Sequence, residues 1–141
     1  MGVVSVISSN KSALLGLVSA IAPIIVGGNT CVVLSSENNP MVSISFAEVL
    51  NTSDLPHGVV NILTGKRKEL IHHFASHMDV NAVSYCGEND EEIQELEKVS
   101  VENLKRVRIN RGTNWNEDKG QSPYYIERFQ ETKTIWHPNE V

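Results

Sequence analysis

Cysteine is scarce: Cys31 and Cys86 are the two in 141 residues. Two thiols are too few for a disulfide scaffold and fit a reducing compartment, so a cytoplasmic location is expected. Long apolar runs are lacking as well. The longest, Ile21 to Val26, is far short of the roughly 20 residues that span a bilayer. The N-terminus has no basic region followed by a cleavage site, and it does not read as a signal peptide. Cations are the minority charge, with 12 Lys+Arg against 17 Asp+Glu and a formal net charge of −5. That balance supplies no global attraction to nucleic acid or to an anionic membrane, and neither partner is expected. The dinucleotide fingerprint G-x-G-x-x-G is absent, and so is the phosphate loop GxxxxGK[ST]. There is no internal repeat and no low-complexity tract.

What is present is unevenly spread. Residues 1–65 hold four charged side chains, Lys11, Glu37, Glu48 and Asp54, and the other 25 of the 29 lie in residues 66–141. The first half is written for burial on several faces; the second carries solvated helices and a polar tail. Short β-branched runs at 2–8, 30–35, 59–63, 82–86 and 104–109 predict five strands. Helices are predicted over about 12–26, 41–52, 67–77 and 90–99, the first with Ser12 as its cap and Gly27-Gly28-Asn29 as its stop. Strands that alternate with helices and read as near-continuous apolar runs imply βαβ units: an α/β, Rossmann-like open parallel sheet with helices on both faces. Residues 111–125 are polar and turn-rich and read as a linker. Glu131 to Trp136 reads as a further strand outside the sheet, and a lone terminal strand must pair with something.

An open α/β sheet places its ligand crevice beyond the carboxyl ends of the strands. Four loops form that rim, beginning at Ser8, Leu34, Thr64 and Cys86. In the last, Glu88, Asp90, Glu91 and Glu92 crowd a helix start, the place where phosphate would otherwise be attracted. They read as the helix's own carboxylate cap. Lys66-Arg67-Lys68 are three cations at another helix start, either solvated or holding an anion or an acidic partner surface. His72, His73 and His77 include an i,i+4 pair, but no cysteine or carboxylate nearby supplies a further ligand, so no metal is expected. Cys86 ends a strand without an indicated base or oxyanion site and reads as a half-buried structural thiol. Trp115 and Trp136 read either as interface anchors or as side chains packed on their own domain.

The order of motifs resembles the coenzyme-binding domain of the aldehyde dehydrogenase superfamily. The matching stretches are GVVSVIS at 2–8, Ala22-Pro23, GGNTCVVLSSENNP at 27–40, FAEVLNTSDLPHGVVNILTG at 46–65, SHMDVNAVSYCG at 76–87 and NLKRVRINRG at 103–112. The family pattern there is GVV-x-x-I-x-PWNFP, GNT-VV-x-K-P-S-E-x-x-P, G-x-P-x-GVVN-V-V-x-G, S-H-x-D-V-x-x-I-x-F-T-G-S and L-K-x-V-x-L-E-L-G-G. RFQETKTIW at 128–136 resembles the family's C-terminal strand, Y-x-E-x-K-x-V. The resemblance implies a coenzyme-binding domain over 1–112, a linker over 113–127 and an oligomerisation-type strand over 128–141. The catalytic domain with its cysteine nucleophile is absent between them. The arrangement resembles the truncated second unit found in family sixteen members.

The departures from the pattern bear on function. At W-N of PWNFP, whose amide helps to hold the oxyanion, stand Asn10 and Lys11. The ribose-binding Lys aligns with Leu34. Its partner survives as Glu37, and Gly87 survives from F-T-G-S, whose pyrophosphate-contacting Ser aligns with Glu88. Lys66-Arg67 replace a glycine-containing segment. The general-base Glu aligns with Asn110, and an amide cannot take a proton at neutral pH. The resemblance therefore implies an inactive chain with no catalytic residue. Glu37 and Gly87 are the remnants of the cofactor site, and NAD is expected weakly or not at all. The implied partner is an aldehyde dehydrogenase catalytic domain in cis or trans, or a second copy of the chain, reached through Glu131, Lys133, Thr134, Ile135 and Trp136.

Overall fold

A computed structural model describes residues 2–138. Its centre is the β-branched run Val3–Ile7 (β1), where Val4, Val6 and Ile7 are wholly buried. Burial on both faces is what a central parallel strand requires, and no polar alternation is possible there. Around β1 stand Thr30–Leu34 (β2), Val60–Leu63 (β3), Val80–Tyr85 (β4) and Arg106–Ile109 (β5). All pairs are parallel and the order is β3-β2-β1-β4-β5. The chain builds outward from β1 to β3, then crosses back to β4, so the order reverses between β1 and β4.

Leu15–Val26 (α1) and Pro40–Asn51 (α2) cover one face. There Leu17, Ile21 and Ile24 pack on Val4, Val6 and Val33, with Phe46 of α2 alongside. Arg67–Ser76 (α3) and Asp90–Ser100 (α4) cover the other, where Ile71, Phe74, Ile93 and Leu96 pack on Ile7, Val83 and Tyr85. The expected Rossmann-like sheet with helices on both faces is the observed one.

Local chemistry sets the ends. Ser12 does not cap α1: Leu14 holds the cap position without a side-chain bond, and Ser12 contributes only its carbonyl, which accepts from Gly16 N at 3.0 Å. Gly28 closes α1 at φ +77°, a conformation that favours glycine. Leu104 sits in the left-handed region at φ 51° after a 3₁₀ turn, which delays β5 to Arg106, two residues later than the hydropathy pattern places it.

Two readings of the C-terminal third are corrected. Residues 113–127 are not a linker. Trp115 is 4 % exposed and Phe129 3 %, both in the α1-side core, and Tyr124–Glu127 (α5) lies on α1. Turn residues made this stretch look open, while its aromatics supply the burial. Glu131–Trp136 forms no strand within this chain: residues 131–138 have no ladder. A strand needs a partner edge, and this segment pairs with none among the described residues.

Candidate functional site

The reversal of strand order between β1 and β4 opens a crevice at the carboxyl end of the sheet, as the topology demands. It encloses about 420 Å³ lined by Asn10, Lys11, Arg67, Glu88, Asn110 and Trp115, among others. That volume lies within the range of small-molecule sites. The loops after β1, β4 and β5 form its rim.

Charges on this rim are paired with one another. Lys11 Nζ meets Glu88 Oε2 at 2.8 Å, tying the β1 loop to the β4 loop. Arg111 Nη2 meets Asp90 Oδ1 at 2.6 Å, tying the β5 loop to the start of α4. Asn89 caps α4 by accepting from Glu91 N at 2.9 Å and Glu92 N at 3.4 Å. The acidic residues there are thus a helix start complemented by its own carboxylates, as the sequence implies.

Arg67 is neither solvated nor free for a partner surface, in contrast to its neighbours Lys66 and Lys68. Its side chain is 7 % exposed. Nη2 donates to the Ser8 carbonyl, Nη1 lies 3.7 Å from Glu92 Oε2, and the guanidinium carbon is 5.8 Å from the Tyr85 ring centroid. Tyr85 Oη donates to the same Glu92 oxygen at 2.5 Å. Burial, followed by that bond and the Glu92 charge, pushes the Tyr85 phenol up to about 12.

Glu37 and Gly87, the expected remnants of a cofactor site, are both engaged inside the chain. Glu37 Oε1 accepts from the Arg67 backbone N–H at 2.6 Å and so caps α3. A side chain on Gly87 would place its Cβ 2.6 Å from Tyr85 Oη, so packing alone demands the glycine. Asn110, at the general-base position, donates to Cys86 Sγ at 3.6 Å and to Ser84 Oγ at 3.4 Å, and accepts from Arg128 Nη1 at 2.9 Å. Cys86 is buried, and that burial pushes its thiol up to about 11, which keeps it protonated and inert at neutral pH. His72 lies 3.6 Å from Glu95 and His77 4.0 Å from Asp79. Among the described residues no three His, Cys, Asp or Glu side chains converge as a metal site.

The comparisons with known proteins fall on this same region. A family model described as "Aldehyde dehydrogenase family" matches residues 1–116. The chain belongs to the aldehyde dehydrogenase family. Hydroxyisobutyraldehyde dehydrogenase of Mycolicibacterium austroafricanum is 29 % identical over 126 residues, covering 89 % of this chain and 23 % of that protein. 1-Pyrroline-5-carboxylate dehydrogenase 1 of Halalkalibacterium halodurans is 33 % identical over 118 residues, covering 79 % and 23 %. A solved structure of an aldehyde dehydrogenase C mutant from Pseudomonas syringae, complexed with NAD+ and octanal, superposes with a TM-score of 0.73. Its identity is 28 %, and the match covers 79 % of this chain and 23 % of that one. The chain therefore spans about a quarter of the length of the aldehyde dehydrogenases it matches.

The family implies a nicotinamide coenzyme, and the residues present do not fit one. An incoming pyrophosphate at Gly87 would meet the Glu88 carboxylate, with Asp90, Glu91 and Glu92 close behind it in the chain. The rim cations Lys11 and Arg111 already face carboxylates of the chain itself.

Sequence reasoning missed three groups here: Arg67 as a buried side chain, Tyr85 as the phenol beneath Gly87, and Arg128 as the partner of Asn110. Only a rim cation preceded by a break in the glycine pattern signalled the first. Among the expected interface residues, Ile135 is 73 % exposed and Trp136 89 %; Trp115 packs in the core instead. Glu131, Lys133 and Thr134 are exposed beside them. No helix among the described residues is long and apolar enough to cross a membrane.

Proposed function

We propose that the chain is a non-catalytic aldehyde-dehydrogenase-like module that serves assembly within a larger aldehyde dehydrogenase. One observation carries this reading: the terminal segment is anchored at its base and, among the described residues, unpaired beyond it. Phe129 is buried in the core, the Phe129 carbonyl accepts from Asn29 Nδ2 at 3.0 Å, and the Gln130 carbonyl accepts from Arg106 Nη1 at 2.9 Å. Five and six residues beyond Gln130, Ile135 and Trp136 stand in solvent. An exposed Ile–Trp pair on a segment of strand composition suits β-augmentation, in which main-chain bonds add a strand to a partner's sheet edge. The partner that offers this edge is an aldehyde dehydrogenase catalytic domain in cis or trans, or a second copy of this chain.

Asn110 supports the non-catalytic half of the reading, because its amide accepts no proton and is already bound to Arg128. The isolated chain is therefore expected to show no turnover with NAD and an aldehyde. The test deletes residues 131–141 and measures association with an intact aldehyde dehydrogenase. Loss of association is expected; association that persists undiminished overturns the assembly role. A second reading, the NAD-binding portion of an enzyme whose catalytic domain lies elsewhere, draws on the family match over residues 1–116 and on the solved relative complexed with NAD+.

A further inference from the structure

Lys11 and Glu88 lie 77 positions apart in sequence, and each departs from the family pattern. One replaces the oxyanion-holding amide and the other the pyrophosphate-contacting hydroxyl. They depart with opposite charge and meet at 2.8 Å across the mouth of the crevice. At 78 % and 50 % exposure the pair adds little to stability. Its effect is local: the cation of the β1 loop is committed to a carboxylate, so an arriving anion finds it neutralised.

A second exchange lies deeper. Arg67 stands where the pattern carries a glycine-containing segment, and its guanidinium turns inward to the Ser8 carbonyl, to Glu92 and over the Tyr85 ring. A buried guanidinium is held only when such partners compensate its lost hydration; here they serve Nη1 and Nη2, while the buried Nε has no partner. Here the compensating carboxylate belongs to the α4 start, which in an anion site would be left to the ligand.

We infer that these substitutions make the crevice internally liganded: Lys11–Glu88 at the mouth and Arg67–Glu92–Tyr85 beneath it take the place of the coenzyme and exclude it. The chain thus rejects NAD and NADP through side chains of its own, independently of whether it assembles with a partner. A dinucleotide must break both contacts to enter, and would then add its phosphates to a rim bearing Glu88, Asp90, Glu91 and Glu92.

Calorimetric titration of the full chain with NAD and with NADP tests this. The unaltered chain is expected to show no binding tighter than about 1 mM, and a Kd below that value overturns the inference. The variant Lys11→Asn, Arg67→Gly, Glu88→Ser restores the pattern at all three positions. If its circular dichroism is native, it is expected to bind at least about tenfold more tightly than the unaltered chain. A folded variant with no gain shows that other features exclude the coenzyme and overturns the inference. If removing Arg67 unfolds the chain, Lys11→Asn, Glu88→Ser, whose sites are exposed, is titrated instead. A gain of about threefold or more supports the inference, and none overturns it.

Discussion

The side-chain oxygen of Asn110 accepts a hydrogen bond from Arg128 Nη1 at 2.9 Å, so the position of the family's general base now holds the C-terminal segment. The Arg128 guanidinium also lies 4.0 Å from the Tyr125 ring centroid. Removing the amide leaves Arg128 without this acceptor. Asn110→Ala is expected to destabilise the chain by about 1–2 kcal/mol in urea unfolding, with the slope of the transition unchanged. A neutral result contradicts the anchoring role.

Phe129 tests whether residues 113–129 belong to the core. As a residue of a terminal strand standing off the domain, its truncation would fall within about 0.5 kcal/mol of the parent. As a side chain 3 % exposed against the α1 layer, Phe129→Ala is expected to cost about 3 kcal/mol or more. Equilibrium denaturation distinguishes the two directly.

The two tryptophans should separate in fluorescence. Trp115 is buried and Trp136 is 89 % exposed. Acrylamide or iodide should quench one component and spare the other, and Trp136→Phe should remove the quenched component alone. Equal access for both would place Trp115 outside the core.

Alkaline pH should weaken the fold. Burial raises Cys31 to about 12 and Cys86 to about 11 from 9.0, and burial with the Glu92 bond raises Tyr85 to about 12 from 10.0. Unfolded, these acids ionise first, so their contribution is whole below pH 9 and is lost as pH rises through 11 to 12. Lys105, lowered by burial, acts in the opposite sense, one group against three. Thermal melts should therefore fall from pH 9 upward, and thiol reagents at pH 8 should find both cysteines only after unfolding. Fast alkylation of native Cys86 would contradict its burial.

Much of the fold was legible because burial on both faces leaves its mark on composition. The five β-branched runs became five parallel strands, and their order follows from βαβ connection. The tail was misread because turn residues dominate 111–125, while three side chains, Trp115, Tyr125 and Phe129, bring it back onto α1. Of the site, the loops were legible: Lys11, Glu37, Gly87, Glu88 and Asn110 follow the carboxyl ends of β1, β2, β4 and β5. What one-dimensional reading does not supply is who meets whom. Lys11 with Glu88, Glu37 with the Arg67 amide and Asn110 with Arg128 are contacts between distant loops. Arg67 is the sharpest case, since a cation between two lysines reads as solvated until a carbonyl, a ring and a carboxylate surround it.

The most direct test of the assembly role is molar mass in solution by light scattering. The chain is measured alone and mixed with an aldehyde dehydrogenase, each time with and without residues 131–141. The assembly reading predicts a complex larger than the monomer that forms with the intact chain and disappears on truncation, while circular dichroism stays native. A monomer in every mixture, or a complex indifferent to the truncation, would contradict it.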